Sequence, residues 1–331
     1  MTAAPTREAA RLGFARAALG RGAALERASM DAGFRSYWRS SSSPSRIVMD
    51  APPGREDVLP WLAVRDLLEH GGVRVPQVLA RDIEQGFLLL EDLGTDTLLQ
   101  VIDESNAQVW FEAAFDALIA LQKIRAPQSL PHFDEALLMR ELSLFDDWLL
   151  AKHLGLTLDG ALVDALQRVY RRLIDAILAQ PTVLVHRDFM PRNLMPLADG
   201  TLAVLDFQDA VVGPISYDVL SLFKDAFASW PTALVERGIA RYHERAAEAG
   251  LPVPALDAFR RDVDFIGVQR HLKVLGIFAR LNHRDHKPKY LADAPRFMRY
   301  LLDVLPKHPE LEPLLPVIRD RVLPTIGAAS P

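Results

Sequence analysis

The sequence predicts an α+β chain of two lobes, a small β-rich N-lobe followed by a larger, mostly helical C-lobe. Three observations lead there. Alternating or apolar runs of strand length crowd the residues before Gly94. Long stretches of helical periodicity fill the chain after it. The helical part is broken once, by two short apolar pieces at 183–185 and 202–205 around a polar loop. With 331 residues, 50% of them hydrophobic and 24% charged, the chain can bury two cores. The expected division is an N-lobe at 1–93 and a C-lobe at 94–331.

In chain order, residues 6–20 read as a helix, with Leu12, Phe14, Ala15 and Leu19 tending to one face. Phe34 to Arg39 alternates and is aromatic, Arg46 to Met49 is a brief apolar run, and the serine-rich stretch 40–45 between them is a turn by composition. Pro52, Pro53 and Gly54 break the chain, and Glu56 to His70 reads as an amphipathic helix ended by Gly71 and Gly72. Val78 to Ala80 and Gly86 to Leu90 form a further strand pair before the polar linker Glu91 to Gly94. Helical patterns then cover 106–124, 133–153, 156–180, 231–249, 254–281 and 295–305. Asp199-Gly200 is the strongest hairpin signal and predicts one hairpin within the helical lobe.

Composition narrows the function. A net charge of −5 gives no footprint for nucleic acid. The absence of cysteine excludes disulfides, thiolate chemistry and Cys-ligated zinc. Apolar runs stop at charges well before membrane-spanning length. Arg7, Arg11, Arg16 and Arg21 are spread among alanines with no uninterrupted apolar stretch, so a signal peptide is not expected. A mitochondrial presequence would also be Arg- and Ala-rich, but Glu8, Glu26 and the scarcity of serine count against one. A cytoplasmic location is the expectation.

The chemistry is concentrated in His186-Arg187-Asp188-Phe-Met-Pro-Arg192-Asn193 and in Asp206-Phe207-Gln208-Asp209. Each follows an apolar run. The first places Asp and Asn five residues apart on a loop. This suits phosphoryl transfer, which is mostly positioning and charge neutralisation. Asp188 would orient the attacking hydroxyl and take its proton, while Asn193 and Asp206 would offer hard oxygen atoms to Mg²⁺ on ATP. Taken singly, each is equally a turn, cap or strand-end residue. His186 reads as scaffold. Arg187 and Arg192 could meet an anion or pair with local carboxylates, and Asp209 could take a sugar hydroxyl.

The segment resembles the protein-kinase pattern at every named position but one, Gln208 standing for Gly. The wider chain resembles the aminoglycoside phosphotransferase and choline kinase superfamily. The subgroup it most resembles is that of bacterial anomeric kinases of N-acetylmuramate and N-acetylglucosamine. Asp31-Ala-Gly-Phe-Arg35, Ile47-Val-Met-Asp-Ala-Pro-Pro53, Gly86-Phe-Leu-Leu-Leu-Glu-Asp-Leu-Gly94 and Asp206-Phe-Gln-Asp-Ala-Val-Val-Gly-Pro214 carry that likeness. The resemblance implies a protein-kinase-like bilobal fold, ATP and Mg²⁺ as cofactors, nucleotide contacts at Gly33, Arg35, Glu91 and Leu93, a brace for the catalytic loop at Asp218, and a role in peptidoglycan recycling. The alternative is another small-molecule kinase of this type. A departure is that Asp50 occupies the place of the phosphate-binding strand Lys, and no Lys precedes Lys123. Arg35 and Arg39 are the candidate replacements.

Charge also bears on the substrate. From Gln269 to Arg299 stand eight Arg or Lys and three His against Asp285 and Asp293 alone, which suits an anionic substrate better than a polycation. Arg187, Arg270, His271 and Arg280 are the residues expected to bind the amino sugar.

Overall fold

Alternation before Gly94 becomes a five-stranded antiparallel sheet, and helical periodicity after it becomes a set of packed helices. The structure is a computed structural model that describes residues 6–30 and 34–327; Gly33 lies outside them. The chain runs α1 (Arg7–Leu19), β1 (Leu25–Met30), β2 (Ser36–Ser40), β3 (Arg46–Asp50), α2 (Val58–His70), β4 (Val78–Asp82), β5 (Phe87–Glu91) and α3 (Leu98–Val101). It continues with α4 (Ala107–Gln122), α5 (Glu135–Leu144), α6 (Gly160–Leu178), β6 (Thr182–Val185), β7 (Leu194–Pro196), β8 (Leu202–Val204) and β9 (Val211–Pro214). Then follow α7 (Tyr217–Phe223), α8 (Thr232–Glu248), α9 (Leu256–Asp285), α10 (Ala294–Val304) and α11 (Leu323–Gly327).

The described residues fall into two compact units. One holds the chain up to Val101 together with Asn193–Asp209; the other holds Ile102–Arg192 and the residues from Ala210 onward. The break therefore comes later than 93/94, and the stretch Asn193–Asp209, which holds part of the candidate motif, joins the N-terminal unit. Hydrogen bonding accounts for this: the Val204 amide in β8 donates to the Arg74 carbonyl at 2.8 Å.

In the first unit the strand order is β1-β2-β3-β5-β4. Val48 faces Trp38 on β2 and Leu89 on β5, and α1 buries Ala15 against that face, with Phe14, Leu19 and Leu25 around it. Side chains alternate along β3, so Asp50 shares the α1 face with Val48. Asp50 is buried and pairs with Arg7 at 2.6 Å and Arg11 at 2.9 Å, both on α1. The guanidinium of Arg7 lies 4.0 Å over the Phe87 ring and that of Arg11 3.5 Å over Trp38. The residue standing for the strand Lys is thus the anchor of α1.

Two strand pairs interrupt the helices where one hairpin was expected. The Asp199-Gly200 turn joins β7 to β8, with Met195 opposite Ala203, while β6 pairs with β9, Val185 opposite Val211. The 183–185 and 202–205 pieces are therefore not partners. Their spacing hid this, because β7 is too short to stand out as an apolar run.

In the second unit α9 is the central element. Phe259, Val263, Ile266, Leu272, Leu275 and Ala279 are buried along it. Gly276 lies where α9 meets the end of α5: a Cβ there would collide with the Leu144 carbonyl and come within 2.6 Å of the Phe145 amide nitrogen. Both obstacles are backbone, so no rotamer change relieves them. Gly276→Ala is expected to destabilise the protein by about 1–3 kcal/mol, read as a lowered midpoint in thermal denaturation. An unchanged midpoint would show that the crossing is looser than described.

Candidate active site

The loop after β6 turns through a strained corner. Arg187 has φ 76°, in the left-handed region that non-glycine residues avoid. Asp218, fully buried in the first turn of α7, holds this corner in place. Its Oδ2 accepts the His186 amide at 2.7 Å and its Oδ1 the Arg187 amide at 3.0 Å. Burial pushes the Asp218 carboxyl up to about 6, and His186 with the two amides works against that rise. The His186 Nδ1 accepts the Asp188 amide at 3.2 Å, which leaves the ring proton on Nε2 when the imidazole is neutral. The His186 ring is thus buried and tied into the loop backbone.

These bonds present the Asp188 side chain 45% exposed. Arg270 on α9, its own side chain only 5% exposed, brings Nη2 to 3.5 Å from Asp188 Oδ1. Beneath them lies a buried acid. Glu141 on α5 takes Arg187 Nη2 at 2.7 Å and Lys273 Nζ at 2.8 Å on Oε1, and the Gln269 amide at 2.9 Å on Oε2. Lys273 also donates to the Tyr217 hydroxyl at 3.3 Å. Burial opposes the Glu141 charge, yet Lys273, Arg187 and Gln269 together hold its carboxyl below the usual range.

The first unit holds the other half of the motif. Asn193 ends a short 3-10 turn (Pro191–Asn193), and its carbonyl accepts the Leu205 amide at 2.8 Å, which sets it beside the end of β8. Asp206 follows with φ 62°, a second left-handed corner. Its Oδ1 accepts Gln208 Nε2 at 2.8 Å, so the residue replacing Gly braces the carboxylate. Phe207 packs on Trp61 of α2 with ring centroids 5.1 Å apart. Among the described residues no group of three or more His, Cys, Asp or Glu could cage a metal. One amide and one carboxylate oxygen suit Mg²⁺, which keeps waters and phosphate oxygens as its other ligands.

The sequence profile of the phosphotransferase enzyme family matches residues 24–256. The chain belongs to that family. It is 52% identical over 289 residues to the N-acetylmuramate/N-acetylglucosamine kinase of Pseudomonas aeruginosa, covering 87% of this chain and 85% of that one. The protein of the same name from Neisseria meningitidis serogroup B is 45% identical over 302 residues, 89% of this chain and 90% of its own. In fold, this phosphotransferase is similar to choline kinase LicA from Streptococcus pneumoniae, at TM-score 0.60 and 15% identity over 85% of this chain and 93% of LicA. ADP-bound aminoglycoside phosphotransferase APH(2'')-Ib matches at TM-score 0.60 and 16% identity, over 88% and 97% of the two chains. The α+β kinase-like fold expected from the sequence is thereby shown.

Of the residues expected to bind sugar in this phosphotransferase, the structure brings Arg270 to Asp188. Arg187 gives its guanidinium to Glu141. His271 turns away: it is buried, stacks on Tyr300 at 5.1 Å and meets Phe297 edge-on at 5.3 Å. Burial first, then Lys224 and Arg270, lower its pKa well below the ordinary range, so it is neutral near pH 7 and offers an anion no charge. Arg280 lies farther along α9 by about 15 Å, with burial and Arg284 weakening its charged form. Asp209 is exposed at the end of its segment.

Around the nucleotide candidates, Glu91 pairs with Arg74 at 2.5 Å and Leu93 is half-buried. Arg39 forks onto Asp92 at 2.7 and 3.0 Å and onto the Gly94 carbonyl at 2.7 Å, so it is committed. Arg35 stands 3.8 Å from Glu56 and keeps a buried Nε without a hydrogen-bond partner. Sequence reasoning missed Glu141. Its signal was a charge on the apolar stripe Leu138, Glu141, Phe145 at helical spacing.

As pH falls through about 6, Asp218 takes a proton and one of its oxygens stops accepting an amide. Turnover is expected to fall over that interval. Asp218→Asn replaces one acceptor by a donor facing a backbone N–H, and kcat should drop about 10- to 100-fold at pH 7.5. A pH profile of kcat for the two proteins checks this; wild-type turnover in the variant would reject the clamp.

Proposed function

We propose that this chain is an ATP-dependent kinase that phosphorylates the anomeric hydroxyl of N-acetylmuramate, accepting N-acetylglucosamine too, to give the sugar 1-phosphate in peptidoglycan recycling. The reading rests on family membership, on the names of relatives at 45% and 52% identity, and above all on the Asp188 carboxylate, flanked by Arg270 and carried by a loop whose preceding amides Asp218 holds.

The Asp188 carboxylate accepts a hydrogen bond from the sugar hydroxyl and takes its proton as that oxygen bonds to the γ-phosphorus of ATP and ADP leaves. Arg270 and the His186 scaffold hold the carboxylate in one orientation, which lowers the entropic cost of reaching the transition state. Asn193 and Asp206 would hold Mg²⁺, whose charge supports the transferring phosphoryl group. Arg35, with its unpartnered Nε, takes the part of the missing strand Lys, and the Glu91 to Leu93 stretch borders the nucleotide. The positive charge of Arg270 favours a sugar bearing a carboxylate over a polycation. No helix among the described residues is long and apolar enough to cross a membrane, and a cytoplasmic location, where ATP is available, completes the proposal.

Incubation with Mg-ATP and each amino sugar, followed by phosphorus NMR, is expected to give a 1-phosphate from both. Product on another hydroxyl, or none, would overturn the assignment. Asp188→Asn should lower kcat by about 10²- to 10⁴-fold. Asp206→Ala should abolish turnover while leaving sugar binding largely intact, and near-normal activity in it would remove the metal role.

A further inference from the structure

Buried polar atoms without partners are rare in folded chains, and a cluster of them marks a place built for something polar. Ten such side-chain atoms occur among the described residues, and four of them gather at one place in the second unit: Asp225 Oδ2, Arg270 Nε, His271 Nε2 and Arg296 Nη1.

The loop after α7 and the first turns of α10 form this place. Asp225 is 1% exposed, and its Oδ1 accepts the amides of Phe227 and Ala228, each at 2.7 Å, which leaves Oδ2 unspent. Arg270 and Arg296 are the cations whose charges act on it. Among the described residues the ion pair of Arg296 is with Asp293, at 4.0 Å. Tyr300, four residues on from Arg296 and hence on the same face of α10, reaches the same loop at the Ala228 carbonyl, 3.5 Å away, and at the Ser229 hydroxyl, 3.4 Å away. His271 stacks behind Tyr300, and Arg192 of the catalytic loop lies 4.6 Å over the Phe227 ring. Arg270, one of the two cations acting on Asp225, also brings Nη2 to 3.5 Å from Asp188 Oδ1.

We propose that Arg296 is the residue that reads the lactyl carboxylate of N-acetylmuramate, while Asp225 accepts a hydroxyl or amide hydrogen that both amino sugars carry. The inference rests on the amino-sugar reading above and deepens it. An Arg fork matches a carboxylate bidentately, and N-acetylglucosamine, which lacks that carboxylate, makes no demand on it. Arg296 is therefore a specificity residue, and Asp225 serves both substrates.

Steady-state kinetics on the two sugars test this. Arg296→Gln should raise KM for N-acetylmuramate by about 10- to 100-fold with kcat nearly held, and leave N-acetylglucosamine within about twofold. Arg296→Lys, which keeps charge but loses the fork, should show a smaller rise on N-acetylmuramate alone. Asp225→Asn should weaken both sugars together. Equal loss on both sugars in both Arg296 variants, or an unchanged preference, would overturn the proposal while leaving the kinase reading in place. A wild-type protein that phosphorylates neither sugar would overturn both.

Discussion

The Asp218 carboxylate receives two consecutive backbone amides, those of His186 and Arg187, and the geometry of the catalytic loop follows from that pair of bonds. Left to itself, Arg187 would relax out of its left-handed conformation, which costs on the order of 1–3 kcal/mol to maintain. The clamp meets that cost because a buried carboxylate with two strong donors cannot release either without standing unsolvated. Once the corner is held, the next amide points at the His186 ring and the Asp188 side chain is left facing outward. The backbone of the loop thereby sets where the Asp188 carboxylate stands, beside Arg270.

Charge in the second unit is arranged in layers. Glu141 is buried and shared by Arg187, Lys273 and Gln269. A buried acid with two cations is stable only because every member is paired, and loss of one partner would leave the others uncompensated. Arg270 stands outside this set, with Asp188 on one side and the influence of Asp225 on the other. The second unit thus ties Arg187 and Lys273 to a buried acid, while Arg270 stands beside the half-exposed Asp188. Counting basic residues along the sequence could not separate these uses.

The first unit inverts the charge at the strand position where protein kinases carry Lys. Asp50 draws in Arg7 and Arg11, whose guanidinium groups lie over aromatic rings, so α1 is tied to the sheet by ion pairs as well as by the apolar contacts of Ala15 and Phe14. An acid at this position needs cations close by, because burial without them would cost several kcal/mol. Arg39 is likewise held by Asp92. Arg35 alone of the two candidates retains an unpartnered buried nitrogen.

Much of this was legible in the sequence. The α+β division and most of the helices could be read without a structure, because hydrophobic period reports local conformation; the spacing of Asp188, Asn193 and Asp206 marked them as candidates and no more. Strand pairing was not legible: β6 pairs with β9 across 25 residues of chain, Thr182 to Val185 against Val211 to Pro214, and β7 was too short to show. The fate of each charge also escaped the sequence. Arg270 and His271 are neighbours in the chain, yet a helix turns successive side chains by about 100°, sending one to Asp188 and the other among aromatic rings. Residue type determined what these groups can do; only the packing of α5, α9 and α10 decided which of them is enclosed among aromatic rings and which lies beside Asp188.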